Sequence, residues 1–275
     1  MGMDTPTTTA VKRARRRTKR GSFMVRNAAP SPLGLPSGRI GEVATIAGSV
    51  QATDLYRLMA WLSPAYPIGA FSYSSGIEWA VEAGDIADAA SLERWLAVMV
   101  GEGSGFCDAV FFAHAHRAVT QCDDGALRAV AELAAAFVPS KERHLETTAQ
   151  GRAFLDATRA AWPAPALDRL LSVWGGALAL PVAVSAAAAG HGIALAPALL
   201  VYIQALAANL VSAGVRLIPI GQTDGQRVIA ALEPVVTTTA KRALVTALDE
   251  VGGAAFRADL ASMRHETQRT RLFRS

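Results

Sequence analysis

The sequence predicts an all-α protein, a single compact bundle of about eight to ten helices preceded by a disordered amino-terminal extension. Apolar residues recur three and four positions apart over most of residues 51–262, which is helical spacing. No segment shows the sustained alternation of β-branched and polar residues that is typical of a half-buried strand. We therefore assign residues 1–50 to the extension, 51–262 to one all-helical domain and 263–275 to a flexible carboxy-terminal tail.

The extension contains the basic character of the chain. Eight Lys or Arg against Asp4 give residues 1–26 a formal charge of +7, whereas the whole chain carries +4, so the remaining residues carry −3. A Pro-, Gly- and Ser-rich stretch follows at 28–41, and such composition buries too little apolar surface to offset its ordering entropy. We favour a solvated extension, or a start codon assigned too early, over an arm for RNA or a membrane surface. No nucleic-acid partner is therefore expected.

The first helices can be placed from their caps. Asp54 is a candidate N-cap for a short first helix with an apolar stripe. After a Pro- and Gly-containing break, a second helix is expected at about 74–83. Gly84 suits the position after it, where glycine enters the left-handed region cheaply. A third helix should begin near Asp88 or Ser91, because both are good N-caps.

The helical pattern continues towards the middle of the chain. It is interrupted by glycines at 101–105 and then resumes. Amphipathic segments cover about 124–138 and 140–160, and Pro163 and Pro165 mark a loop after them. These elements extend the predicted bundle and leave no clear boundary for a second domain.

A long neutral stretch raises the question of a membrane. No Asp, Glu, Lys or Arg occurs between Arg169 and Arg216, which is long enough for two membrane-spanning helices. Prolines and a Gly-His-Gly break divide it into pieces near 167–189 and 197–213, and alanine contributes little to insertion. We favour two core helices of a soluble bundle and keep an integral membrane protein, with 170–215 as a helical hairpin, as the alternative. The alanine-rich surface also suggests a dimer interface.

The sequence lacks the motifs of several enzyme classes. The only lysines after residue 26 are Lys141 and Lys241, and neither follows a glycine-rich loop, so no P-loop is present. Cys107 and Cys122 form no Cys-x-x-Cys pair and fit a reducing cytoplasm. Cys107 and His114 could share a helix face, but exposed or satisfied helix residues are the preferred interpretation over a metal site. We predict a chain with no catalytic residues, no cofactor and no bound metal.

Three motifs remain as candidate surfaces for partner proteins. Residues 63–78 form a stiff aromatic loop that either packs under the core or stays exposed for interaction. Residues 216–227 contain a helix start where Thr223 and Gln226 match a capping box; a phosphate cradle there has only weak support without a lysine. Residues 263–275 are either a frayed tail or a segment that folds on a partner. The candidate contact residues are Pro67, Gly69, Phe71, Ser72, Tyr73, Gly76, Glu78, Gly221, Gln222, Asp224, Gly225, Gln226, Arg227, Arg271, Leu272, Phe273 and Arg274.

The three motifs, together with LPVAV at 180–184 and NLVSA at 209–213, carry a family resemblance. The phrases PIGAFSYS at 67–74 and GQTDGQR at 221–227 resemble the urease accessory protein F (UreF) family, and the resemblance covers about 54–275. It implies a soluble, cytoplasmic, all-α protein that is usually dimeric. It further implies a bridge that binds the accessory protein UreD (also called UreH) and recruits the GTPase UreG, so that Ni²⁺ reaches apo-urease. Our hypothesis is that 271–274 becomes ordered on the UreD-type partner, while 67–78 and 221–227 supply further contacts.

Overall fold

The fold of residues 50–275, the part of the chain that the computed structural model describes, consists of helices joined by short loops. These residues contain eleven α-helices and two 3₁₀ turns and no strand, and the count is ten if α3 and α4, separated only by Gly103, are taken as one. The predicted all-α class is therefore confirmed. The predicted extension, 1–50, lies outside the described residues except for Val50. The helices are α1 (Ala52–Trp61), α2 (Ile77–Glu82), α3 (Ala89–Glu102), α4 (Ser104–Thr120), α5 (Asp124–Ala136), α6 (Lys141–Ala161), α7 (Pro165–Val173), α8 (Leu180–Gly190), α9 (Leu195–Leu217), α10 (Gln222–Ala243) and α11 (Phe256–His265), and the 3₁₀ turns are Ala70–Ser72 and Leu248–Glu250.

Helix α4 lies at the centre of the hydrophobic core. Twelve of its 17 residues are buried, so it is apolar nearly all round, as a core helix should be. It packs against α3, α5, α8, α9 and α10, and α6 covers α8 from the other side. Helix α8 is largely alanine, and its small side chains allow α4 and α6 to approach it closely.

The local capping signals were partly correct. Asp88 is the N-cap of α3: its carboxylate accepts a hydrogen bond from Ser91 N at 2.8 Å, and Ser91 Oγ accepts one from Asp88 N at 3.0 Å. Gly84 has the predicted positive φ, at 80°. The predicted cap at Asp54 was wrong, because α1 begins two residues earlier at Ala52 and places Asp54 in its first turn. A carboxylate in the first turn still complements the helix dipole.

The neutral stretch forms three helices of the bundle. The piece predicted near 167–189 is divided into α7 and α8 by a non-helical segment, 174–179, that contains two adjacent glycines. By length and apolar composition, two helical segments could cross a membrane, 89–120 and α9, but 72% and 50% of their most apolar windows are buried within the bundle. Helix α8 has eleven residues, whereas a span needs about 20. The described residues therefore give the 170–215 hairpin no support.

Candidate functional site

The first motif is an ordered loop that leads from α1 into α2. It turns at Gly69, which has a φ of 70°, and passes through the 3₁₀ turn before α2 begins at Ile77, later than predicted. Gly76 has a φ of 83° and lies so close to α11 that a Cβ there would be 2.6 Å from the backbone nitrogen of Ser262. Glycine at position 76 is thus required both by its conformation and by the contact between α2 and α11. Of the predicted contact residues in this loop, Pro67 and Phe71 are exposed, whereas Tyr73 and Gly76 are buried.

The carboxy-terminal segment, residues 271–275, lies directly against this loop. Ser74 N donates a hydrogen bond to the backbone oxygen of Ser275 at 2.7 Å. Arg274 N donates one to the backbone oxygen of Ser72 at 2.8 Å. The first and third motifs, which lie about 200 residues apart in sequence, therefore form one continuous surface. We call residues 67–76 together with 271–275 the composite surface.

Glu78 holds the carboxy-terminal segment through its backbone. One carboxylate oxygen accepts a hydrogen bond from Leu272 N at 2.6 Å, and the other accepts one from Phe273 N at 2.9 Å. Glu78 is itself buried, so these charge-assisted hydrogen bonds replace the water that a carboxylate would otherwise bind. The sequence predicts Glu78 as a partner-contact residue. The structure places it beneath the composite surface, where it binds the chain's own carboxy-terminal segment.

The two apolar residues of this segment point in opposite directions. Phe273 is 4% exposed, whereas its neighbour Leu272 is 66% exposed. The ring of Phe273 lies under the guanidinium of Arg216, whose Cζ is 4.4 Å from the ring centroid. Arg216 also donates a hydrogen bond to the backbone oxygen of Phe71 at 2.7 Å. Phe273 is therefore an anchor, while Leu272 and the 66% exposed Phe71 remain available at the surface.

The sequence predicted a flexible tail at 263–275, and the structure differs in a specific way. Residues up to His265 belong to α11, and 271–275 are packed on the body. Arg271 pairs with Glu142 at 2.6 Å in addition to the contacts with Glu78. Apart from Phe273 and Leu272 the segment is polar, and the body supplies buried carboxylates that match its backbone N–H groups and its arginine. Sequence periodicity contains no signal for that match.

A buried polar network lies beneath the composite surface. Arg143 on α6 pairs with Asp108 at 2.8 Å and with Glu146 at 3.1 Å, and both partners are shielded from solvent. The hydroxyls of Ser75 and Ser275 donate to Glu146 at 3.0 Å and 2.8 Å. Burial raises the pKa of Asp108, and Arg143 opposes that shift. This network was missed; the available signal was the polar series of Glu142, Arg143 and Glu146 at helical spacing, which the structure turns towards the core.

A cavity of about 320 Å³ opens next to this network, where Cys107, Asp108, Arg143 and Asp259 are among the lining residues. Burial, followed by the nearby charges of Asp108 and Asp259, raises the pKa of Cys107 to about 12. Burial also raises the pKa of Asp259. The thiol is therefore protonated at neutral pH and is a poor nucleophile.

The second motif forms the start of α10. The expected capping box between Thr223 and Gln226 is absent: Gly221 is the N-cap, and no side chain caps the helix. Asp224 instead pairs with Arg227 at 2.6 Å. No hydrogen bond or ion pair within residues 50–275 connects 221–227 to the composite surface.

The side chains of this second surface are divided between packing and exposure. Gly225 is buried, because a Cβ there would lie 2.8 Å from the side chain of Val215 on α9. It therefore sets the close approach of α10 to α9. Gln222, Gln226 and Arg227 are exposed. We call these three residues the α10 surface.

The histidines and cysteines form no metal site among the described residues. No group of three His, Cys, Asp or Glu within 50–275 is arranged to hold a metal ion. His114 and His116 each place Nε2 within hydrogen-bond distance of a backbone oxygen, at 2.9 Å and 2.8 Å. The contact of His114 is with a backbone oxygen and does not involve Cys107, so the two residues considered together from the sequence are not paired there.

The chain is similar to a family of known proteins. The UreF family model matches residues 86–233, which include α3 to α9 and the first half of α10. A urease accessory protein UreF of Rhodopseudomonas palustris (strain BisB18) is 62% identical over 227 residues, covering 82% of this chain and 94% of the relative. One of Bradyrhizobium sp. (strain BTAi1) is 64% identical over 221 residues, covering 80% and 92%. One of Bradyrhizobium sp. (strain ORS 278) is 59% identical over 235 residues, covering 86% and 98%.

Proposed function

Since this chain belongs to the UreF family of urease accessory proteins, we propose that it acts in urease maturation as a non-catalytic scaffold. In this proposal it joins an accessory protein of the UreD or UreH type to a GTPase of the UreG type and presents both to apo-urease for nickel insertion. The nucleotide chemistry belongs to the GTPase, because this chain has no P-loop lysine. The scaffold works as a cytoplasmic homodimer, with no cofactor of its own.

The observation that carries the proposal is the composite surface. It presents two large apolar side chains, Phe71 and Leu272, on backbone segments that hydrogen bonds fix to each other. Exposed aromatic and aliphatic groups at the centre of a polar surface are typical of protein-binding sites. A pre-ordered segment also spares a partner the entropy of ordering it. We therefore assign the UreD-type partner to this composite surface, with the carboxy-terminal segment already in place.

The α10 surface is the proposed second contact. Gln222, Gln226 and Arg227 are exposed at a helix start, on a turn that packing against α9 holds in place. In the proposal this second site takes the GTPase, and its contacts change the timing of GTP hydrolysis.

Co-purification with both partners tests the two assignments. Leu272→Glu should abolish capture of the UreD-type partner, since a charge would be buried at the contact without a counter-charge. Val245→Glu is the matched control, because Val245 is also an exposed apolar residue, 84% exposed against 66% for Leu272, and belongs to neither proposed surface. Full capture of the partner by Leu272→Glu would refute the first assignment.

The second assignment is tested in the same way. Arg227→Ala should reduce capture of the GTPase, with Arg152→Ala as control, because Arg152 is also an exposed helix arginine paired with a nearby aspartate. Circular dichroism of each variant separates loss of contact from loss of fold. Equal capture by the two variants would refute the assignment. GTP hydrolysis by the purified chain alone would overturn the non-catalytic scaffold itself.

A further inference from the structure

Arg216, in the last turn of α9, is a fixed cation at the edge of the composite surface. Its Nε donates a hydrogen bond to the backbone oxygen of Ser212 at 3.1 Å, and Nη1 donates one to that of Phe71 at 2.7 Å. The guanidinium also lies over the ring of Phe273, with Cζ 4.4 Å from the ring centroid. These three contacts hold the side chain in one position, although Arg216 is exposed to solvent.

None of these contacts neutralises the charge of Arg216. Two are with backbone oxygens and the third is with an aromatic ring, and no ion pair within residues 50–275 includes Arg216. Partial burial lowers the pKa of Arg216, with no carboxylate to oppose that shift. Arg257 shows the contrast, because hydrogen bonds from its guanidinium to Asp85 raise its pKa. Since Nη2 of Arg216 donates to no atom of the described residues, it is available to an acceptor on another molecule.

The composite surface carries charge of the same sign. Its two segments, 67–76 and 271–275, contain no Asp or Glu and two arginines, Arg271 and Arg274. Arg271 pairs with Glu142, which neutralises it. Arg274 is exposed and takes part in no ion pair in the part of the chain that the structure describes. The exposed side of the composite surface is therefore positive, so a partner that fits it presents negative charge.

We propose that Arg216 binds a carboxylate of the partner, so that an Asp or Glu side chain of that protein contacts the composite surface beside Phe71. The inference rests on the proposed function, because it describes the chemistry of the same partner site. Guanidinium and carboxylate groups form charge-assisted hydrogen bonds, which are about twice as strong as neutral ones. Most surface ion pairs contribute little, since ordering two long side chains costs entropy. Arg216 is already ordered, and the exposed ring of Phe71 shields the pair from water once the partner is bound.

A zero-length crosslink tests for the carboxylate directly. Arg216→Lys keeps the positive charge and provides an amine in place of the guanidinium. In the complex of the full-length variant with the UreD-type accessory protein, a water-soluble carbodiimide activates carboxylates of the partner. An amine in contact with an activated carboxylate forms an amide, and the carbodiimide leaves as a urea. We expect mass spectrometry to find a peptide that joins position 216 to an Asp or Glu of the partner.

Arg152→Lys is the matched control for this crosslink. Arg152 is also an exposed helix arginine, and it belongs to neither proposed surface. It should give no crosslink to the partner. Equal yields of crosslinked partner at the two positions would overturn the proposal, and so would a complex that forms without any crosslink at position 216.

The strength of binding gives an independent measure. Arg216→Gln should weaken capture of the partner at least about tenfold, and the affinity of the wild-type chain should fall more steeply with salt than that of the variant. Because Arg216 also contacts Phe273, amide exchange of Leu272 and Phe273 shows whether the segment stays docked in the variant. If it does not, the Arg216→Lys crosslink decides the question. A wild-type chain that captures no UreD-type protein would refute the proposed function and this inference with it, whereas unchanged capture by Arg216→Gln would refute this inference alone.

Discussion

Phe273 and Leu272 allow the anchoring of the carboxy-terminal segment to be measured with a matched pair of variants. Phe273 is 4% exposed and Leu272 is 66% exposed, although they are neighbours in the chain. Truncation of a buried Phe to Ala usually costs about 3–5 kcal/mol. The ring also loses its contact with the Arg216 guanidinium, which is worth about 0.5–1 kcal/mol at a partly exposed site.

The measured effect has an upper limit, because the segment can leave the body without unfolding the bundle. The loss of amide protection that exchange can detect is limited by the free energy of docking, so we use the lower end of the ~3–5 kcal/mol range for Phe to Ala. Phe273→Ala should weaken docking by about 3 kcal/mol, which lowers the ratio of docked to released segment roughly a hundredfold. Leu272→Ala should change docking by less than about 0.5 kcal/mol, because its side chain faces solvent.

Amide exchange measures this ratio directly. The N–H groups of Leu272 and Phe273 donate to Glu78, and that of Arg274 donates to Ser72, so their protection reports docking. Phe273→Ala should remove most of this protection and leave the amides of α4 unchanged. Equal losses in the two variants would refute the reasoning, and so would unchanged exchange in Phe273→Ala. Unchanged exchange would mean that the carboxylate contacts, not the ring, hold the segment.

Two further predictions follow from local geometry. Gly76→Ala should destabilise the fold by about 3 kcal/mol, because the new side chain would have a strained φ and would also clash with Ser262. Gly84→Ala has the strained φ but no neighbour within 4 Å, so it should cost only about 1 kcal/mol. Thermal unfolding measures both losses of stability, and equal losses would rule out the clash. At pH 8, reagents for thiols should label exposed Cys122 quickly and leave Cys107 unmodified, since burial raises the pKa of Cys107 to about 12. Fast labelling of two thiols per chain would contradict this.

Local sequence signals predicted the fold well where the interaction itself is local. Asp88, one of the two alternative N-caps predicted for α3, is its N-cap, and Ser91 lies three residues further on, where it completes a capping box within the first turn. The same pattern failed at Thr223 and Gln226, where α10 begins at Gln222 and the expected cap position lies inside the helix. The packing of Gly225 against α9 is a tertiary contact that no capping rule includes.

The arrangement of the candidate contact residues could not be predicted from the sequence. The sequence identified the loop and the carboxy-terminal segment as separate motifs, and it assigned Glu78 to a surface. The structure brings the two motifs together and places Glu78 beneath them, 194 positions from the Leu272 N–H that it accepts. His265 was counted as one of five histidines, and its position between two carboxylates depends on three helices that converge.

The sequence by itself determined the helical class, the basic character of the extension and the resemblance to a family, because periodicity, composition and short phrases are properties of neighbouring residues. Only the tertiary structure decided which side of each motif faces the core. It turned Glu78, Glu142 and Glu146 inward, where carboxylates need donors, and the carboxy-terminal segment supplies them. A buried charge seeks the nearest complementary group in space, and distance along the chain does not limit that choice.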